Sequence, residues 1–181
     1  MATIRPGTAA DAGEIGEIFS EAFEGDPVWA VHLPDSSSRR RALAEFYASE
    51  VESEPEHVDV AVDEDGQLLG ALIWEPPGSR EGSGSFSPTE AGQAHDRAID
   101  DQRPDEPHWY IHDIATSARA RGTGVGTTLI QHRLDHIGSA GAFLESTTPV
   151  SRRLYERFGF EARVTDNMIP GSSAMTRRPS K

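Results

Sequence analysis

The run Arg121-Gly122-Thr123-Gly124-Val125-Gly126 sets an arginine ahead of three alternate glycines, a composition suited to holding an anion on main-chain amides. Residues 109–115 precede it and read as a buried strand, and residues 127–134 follow with apolar side chains at helical spacing. A strand that passes through such a turn into a helix leaves N–H groups exposed at the helix N-terminus. Those groups and the helix dipole favour a phosphate or pyrophosphate. Glycine suits the turn because an anion must approach the main chain closely and some positions need positive φ. The same residues could equally form a tight strand-to-helix turn that binds nothing. Two other phosphate loops do not fit. A Walker loop needs Lys and then Ser or Thr after its last glycine, and here Thr127 follows with no lysine. A dinucleotide loop has G-x-G-x-x-G spacing near the start of a doubly wound domain, whereas this spacing is G-x-G-x-G with about a third of the chain remaining.

The elements that must position this turn read as mixed α/β. Residues 2–5 form a short strand. Thr8 caps a helix running to about Glu24, with Ile15, Ile18, Phe19, Ala22 and Phe23 as its apolar stripe. Gly25-Asp26-Pro27 breaks it, and residues 28–33 are an apolar run ending at Pro34. Asp35 or a following serine caps a second helix that carries Leu43, Phe46, Tyr47 and Val51 inward. Residues 58–62 and 68–74 read as a hairpin across Asp63-Glu64-Asp65-Gly66. Residues 79–87 are polar and glycine-rich and are expected to be a mobile loop. Ser87 as N-cap, Pro88 at the first helical position and Glu90 as capping-box partner predict a polar helix lying over the surface. Its only apolar stripe is Ala91, Ala94, Ala98 and Ile99. Residues 141–146 read as a buried strand bearing Glu145, residues 151–158 as a short helix ended by Gly159, and residues 160–164 and 174–177 as final strands. The late strand–helix–strand–helix–strand order is expected to be parallel. No repeat or linker divides the chain, so one domain over residues 1–181 is expected.

Composition narrows the function classes. The chain has 36% hydrophobic and 26% charged residues, which is ordinary for a soluble globular protein. It has no cysteine, which excludes disulfides, thiolate catalysis and Cys-ligated metals, and no metal is expected. A net charge of −13 argues against nucleic acid as partner, since duplex binding draws on a basic face. It suits a cationic small substrate, or solubility alone. Arginines gather at Arg119 and Arg121 and again at Arg152, Arg153 and Arg157, two places that would attract a polyanion. No apolar run approaches a membrane span and no secretory signal is visible, so the cytoplasm is the expected location.

Arg121, Gly124, Val125 and Gly126 stand in register with an Arg/Gln-x-x-Gly-x-Gly pattern. Followed by a strand, a helix and Tyr155-Glu156-Arg157-Phe158-Gly159-Phe160, the pattern resembles the GNAT superfamily of N-acetyltransferases. The likeness is closer still to the branch that holds puromycin N-acetyltransferase. It is carried by residues 104–110, 142–149 and 155–160 and by the tail Met175-Thr176-Arg177-Arg178-Pro179.

The resemblance implies a GNAT fold, a splayed mixed sheet of six to seven strands flanked by helices on both faces, with acetyl-CoA in the splay. The main-chain amides of Gly122, Thr123, Gly124, Val125, Gly126 and Thr127 would hold the pyrophosphate beside Arg121. Ile114, Ala115 and Thr116 would bond the pantetheine like an added strand, with the Ile114 amide polarising the thioester carbonyl. Tyr155 matches the superfamily's general acid, which protonates the departing thiolate; a phenol and a thiol are of comparable acidity. The base is open among Glu145, His112 and Asp113, a water relay, or none if the amine arrives neutral. Strand alternation puts His112 and Asp113 on opposite faces, so at most one meets the substrate. Histidine has the better unperturbed pKa, and Glu145 the better family match. The sequence departs from its relatives at Thr116 and Ala118, where an apolar residue and a proline are usual, and at Thr148, His112 and Asp113. The acceptor pocket is therefore expected to differ from that of the puromycin enzyme. The resulting expectation is transfer of acetyl from acetyl-CoA to a primary amine of a small molecule, with antibiotic resistance as one role. A peptide N-terminal acetyltransferase and a non-catalytic acyl-CoA sensor are the alternatives. Superfamily members often form homodimers.

Overall fold

The computed structural model describes residues 2–79, 87–163 and 169–180. The expected loop at 79–87 falls largely on residues 80–86, and the expected last-but-one strand reaches Val164; these lie outside the described residues. The strands are β1 (Thr3–Pro6), β2 (Val58–Val62), β3 (Leu68–Glu75), β4 (Trp109–Thr116), β5 (Ala142–Ser146), β6 (Glu161–Arg163) and β7 (Ser173–Arg177). They form a seven-stranded mixed sheet in the order β1-β2-β3-β4-β5-β7-β6. The helices are α1 (Ala12–Phe23), α2 (Pro27–His32), α3 (Ser36–Ser53), α4 (Glu90–Asp100), α5 (Val125–Ile137) and α6 (Pro149–Glu156). By compactness the chain divides into two units, and the boundary between them cuts β4 between Ile111 and His112.

The first unit comprises Met1–Gly25, Asp35–Trp74 and His112–Ile137. β1, β2 and β3 are antiparallel neighbours, with Thr3 opposite Val62 and Val58 opposite Ile73. The hairpin turn closes as expected, with Asp63 N–H donating to Gln67 O at 3.0 Å and Gly66 at φ +79°. α1 and α3 pack through Ile15, Phe19, Leu43, Tyr47 and Val51, all buried. Their contact needs Gly16, where a Cβ would sit 2.5 Å from Ala44 O. Asp11 ties β1 to the entry of α1, accepting from Arg5 at 2.8 and 2.9 Å and from the Thr8 amide and hydroxyl at 2.8 Å. α5 lies against β2 through a buried pair, in which Arg133 Nε donates to Asp59 Oδ2 at 2.7 Å. The Arg133 guanidinium also stacks 3.8 Å over the Trp74 ring, which shields it further.

The second unit comprises Asp26–Pro34, Glu75–Ile111 and Gly138–Lys181. The apolar run at 28–33 is helical because extended Asp26 caps α2. Its carboxylate accepts from the amides of Val28 at 2.8 Å and Trp29 at 3.3 Å, and Pro27 occupies the first turn. β4 and β5 pair in parallel from Trp109↔Ala142 to Ile111↔Leu144, as the sequence predicts. The third strand of that predicted parallel unit does not join them. β6 is an edge strand antiparallel to β7, and β7 stands between β6 and β5.

Two expectations about α4 are corrected. Thr89 is the N-cap, not Ser87: its hydroxyl accepts from Gly92 N–H at 3.0 Å, while Ser87 Oγ turns back to the Thr89 amide. The helix is also rotated from the alanine stripe. Gly92, His95 and Ile99 are buried, and Ala91 and Ala94 are exposed. The inward histidine has a partner on β5, which sequence-local polarity could not register. α5 begins at Val125 and α6 at Pro149, each two residues ahead of expectation. Thr148 caps α6, accepting from Ser151 N–H at 3.2 Å.

Candidate active site

The glycine turn lies in the first unit. Gly122 and Gly124 have φ of +76° and +90°, conformations that a side chain strains. Gly126 is different, because it already stands in α5 with ordinary φ. Thr123 anchors the turn, its amide and hydroxyl donating to Ala120 O at 3.2 and 2.7 Å. Thr128 N–H donates to Gly124 O at 2.9 Å, which opens α5. The amides of Val125, Gly126 and Thr127 therefore belong to the first helical turn, where N–H groups have no intrahelical acceptor. Val125 is buried and fixes the helix end, while residues 121–124 and Thr127 are exposed. A Cβ added at Gly122 or Gly124 would meet nothing within 4 Å, so the space beside these two glycines is open.

The flanking arginines differ in what they do. Arg119 donates to Asp63 at 2.8 Å and to Leu68 O at 3.1 Å, so it is committed to the hairpin. Arg121 is half-exposed and meets Glu21 at 3.4 Å, a long contact that leaves its guanidinium available to an anion. Ile114, Ala115 and Thr116 end β4, and Gly70 of β3 lies so close that a Cβ there would sit 2.6 Å from Ala115 O. His112 and Asp113 are half-buried on the same strand.

Glu145 and Tyr155 lie in the second unit. Glu145 is on β5, and its Oε1 stands 2.9 Å from Nε2 of His95 on α4. The His95 side chain is 3% exposed and that of Glu145 14%. The His32 ring of α2 meets the His95 ring edge-on at 5.7 Å, and His32 Nε2 stands 3.6 Å from Asp96 Oδ1. Thr147 Oγ1 donates to Asp26 Oδ2 at 2.5 Å, which joins the end of β5 to the cap of α2. Gly92 makes room for this cluster, because a Cβ there would collide with Ser87 and come within 2.9 Å of His32 Nδ1.

Burial raises the Glu145 carboxyl above the usual carboxylate range, against the opposing pull of His95. Burial works against a charged His95, but the bond to Glu145 and the charges of Glu145, Asp96 and Asp26 overcome it and raise its pKa. His32 goes the other way, lowered by burial and by His95 despite Asp96. Tyr155, near the end of α6, is buried with its ring edge-on to Phe160 at a centroid distance of 6.1 Å. Among the described residues no group of three or more His, Asp or Glu could hold a metal ion.

Of the four sequence-nominated catalytic side chains, Glu145 and Tyr155 thus belong to one unit and His112 and Asp113 to the other. His95, His32 and Asp96 escaped the sequence reading. The available signal was His95 at i+3 from Gly92 and i−4 from Ile99, on a helix whose alanines are exposed.

The glycine turn thus opens a helix after the fourth strand of a mixed seven-stranded sheet. Residues 14–160 match the Acetyltransferase (GNAT) family, and the chain belongs to it. It is similar to a structure from Corynebacterium glutamicum described as histone acetyltransferase HPA2 and related acetyltransferase, with 29% identity and a TM-score of 0.73 over 99% of this chain and 97% of that one. A PaiA N-acetyltransferase from Thermoplasma acidophilum in complex with coenzyme A shares the fold at 12% identity, with TM-score 0.63 over 98% and 99%. So does a mosquito arylalkylamine N-acetyltransferase-like 5b at 15% identity, with TM-score 0.64 over 97% and 99%. The protein is an acyltransferase of a family that uses acetyl-CoA. No helix among the described residues is long and apolar enough to cross a membrane.

Proposed function

We propose that the protein transfers acetyl from acetyl-CoA to a primary amine of a small molecule by direct attack, as a single domain acting in the cytoplasm. The observation that carries this reading is the exposed turn at Gly122 and Gly124, whose positive φ leads into the first-turn amides of α5. In this reading those amides, with Arg121, hold the pyrophosphate, and Ile114, Ala115 and Thr116 hold the pantetheine. The Ile114 amide polarises the thioester carbonyl. The amine nitrogen attacks the carbonyl carbon, the C–S bond breaks, and Tyr155 protonates the thiolate. Glu145 is the base, supported by its partial exposure and by the burial that lifts its pKa toward the working range. His112 and Asp113 then shape the acceptor side. The segments shared with the puromycin branch support an aminonucleoside or related antibiotic as acceptor.

Acetylation of a protein or peptide N-terminus is the second reading, supported as to a protein acceptor by the similarity to the Corynebacterium structure described as a histone acetyltransferase and related acetyltransferase. The test is thiol release from acetyl-CoA across puromycin, arylalkylamines, aminoacyl analogues and short peptides. Turnover on the small amines supports the proposal, and turnover on peptides alone supports the second reading. Coenzyme A binding without turnover on any amine indicates a sensor, and no coenzyme A binding overturns all three. Sedimentation of the same samples reports whether it forms the homodimer common in the superfamily.

A further inference from the structure

We infer that His95 is the positioning residue for Glu145, its Nε2–H holding Oε1 so that the second carboxylate oxygen receives the proton of the incoming alkylammonium. The inference deepens the base assignment made above and rests on that reading. Three geometric observations carry it. The Nε2–Oε1 distance is 2.9 Å, and Glu145 is the more exposed of the two side chains, 14% against 3%. His95 Nδ1 is buried and has no hydrogen-bond partner among the described residues. A buried donor without an acceptor is more costly than a buried lone pair without a donor. The neutral ring therefore keeps its proton on Nε2, where Glu145 accepts it. A carboxylate accepting this bond at one oxygen presents the other in a fixed direction.

The step balances without any further reactant. An N–H bond of the ammonium breaks and an O–H bond forms on Glu145, while the Nε2–H bond to Oε1 persists. The neutral amine attacks, the C–N bond forms and the C–S bond breaks. Tyr155 gives its proton to the thiolate and regains one from the acylated nitrogen, and Glu145 releases its proton to water. The groups that face the pair are Asp96 on its own helix, His32 of α2, Asp26 at the cap of α2, and Ser172 just before β7. The acidic neighbours and burial favour protonation of the pair, so its first proton uptake sets the acid limb of the rate profile, as a property of the pair rather than of either residue.

The test is the pH profile of kcat/KM with acetyl-CoA and whichever panel amine turns over, in wild type, Glu145→Gln, His95→Ala, His95→Gln and His95→Asn. Glu145→Gln should lose roughly 10²–10⁴ in turnover at neutral pH, recovering as pH rises and the amine deprotonates itself. His95→Ala removes the bond that opposes the effect of burial on Glu145, so the acid limb should move to higher pH and kcat should fall, with the KM for acetyl-CoA unchanged. His95→Gln, whose amide can mimic Nε2–H, should restore much of the rate, whereas His95→Asn should not. Equal rates in the Gln and Asn variants, or an acid limb that stays put in His95→Ala, would overturn the inference. A parallel readout needs no acceptor: long-range proton–nitrogen NMR of the imidazoles. It should show neutral His95 as the Nε2–H tautomer, with a titration that moves down in Glu145→Gln. An Nδ1–H tautomer, or a titration indifferent to that change, refutes the positioning role even if no amine is turned over, and then the enzyme reading is judged by thiol release alone.

Discussion

Replacing Gly126 with alanine should stabilise the empty protein and weaken coenzyme A binding, two effects of opposite sign from one methyl group. Gly126 has ordinary helical φ, and an added Cβ would meet nothing closer than Thr116 Cγ2 at 3.8 Å, a normal contact. The folded state therefore accepts it without strain. The unfolded chain loses freedom, which is worth about 0.4–1 kcal/mol. For a protein of this size that raises Tm by roughly 1–4 °C. The ligand sees the opposite. If the pyrophosphate lies on the first-turn amides, the new methyl occupies space it needs. With coenzyme A at a hundred times the wild-type Kd, linkage stabilises wild type by about 2.7 kcal/mol, or roughly 5–11 °C. A tenfold loss of affinity cuts that to about 1.4 kcal/mol at the same concentration. Differential scanning fluorimetry with and without coenzyme A reads both terms, and isothermal titration gives Kd directly. A full coenzyme A shift in Gly126→Ala would refute the main-chain cradle at this turn. A lowered Tm without ligand would refute the packing argument instead.

Further outcomes follow from the same geometry. Tyr155→Phe should lose roughly 10²–10⁴ in turnover with little change in coenzyme A affinity; near-normal kcat in steady-state assays would remove Tyr155 from the mechanism. Asp59→Ala leaves the Arg133 guanidinium buried without its carboxylate and should cost about 3–5 kcal/mol, read from urea melts, with both midpoints compared at constant m-value. The Arg5 guanidinium holds Asp11 down to about 2, with Thr8 adding to the effect against burial. A depressed carboxyl stabilises the fold above its unfolded pKa, and the contribution is lost as pH falls from about 4 toward 2. With Arg5 partly in water, that contribution is about 1–2 kcal/mol, so Asp11→Asn should be less stable by this amount at neutral pH and flatter across the acid range in chemical melts.

How much of this was legible in the sequence depends on how far each cause reaches along the chain. The glycine turn needed only its own residues, because positive φ at Gly122 and Gly124 and the helix opening after them are local preferences. The same holds for the Asp63–Gly66 turn, the Asp35 cap and the inward faces of α1 and α3. The start of α4 was misread by two residues because Ser87 and Thr89 are both competent caps. The choice depended on Thr89 Oγ1 also donating to Val31 O at 2.9 Å, across 58 positions. Likewise β7 rather than β6 sits beside β5, an outcome of pairing over long loops that strand propensity does not encode.

By itself the sequence determined the family, the glycine turn and the nomination of Tyr155 and Glu145, since each rests on residue type within a short window. Tertiary structure alone decided the company Glu145 keeps. His95 lies 50 positions away on a helix that looked superficial, and its burial follows from a carboxylate supplied by another element. A histidine carries no fixed polarity in sequence: paired, it belongs inside, and unpaired, it belongs in water. Only packing supplied the partner, and with it the tautomer, the proton affinity and the direction in which Glu145 points.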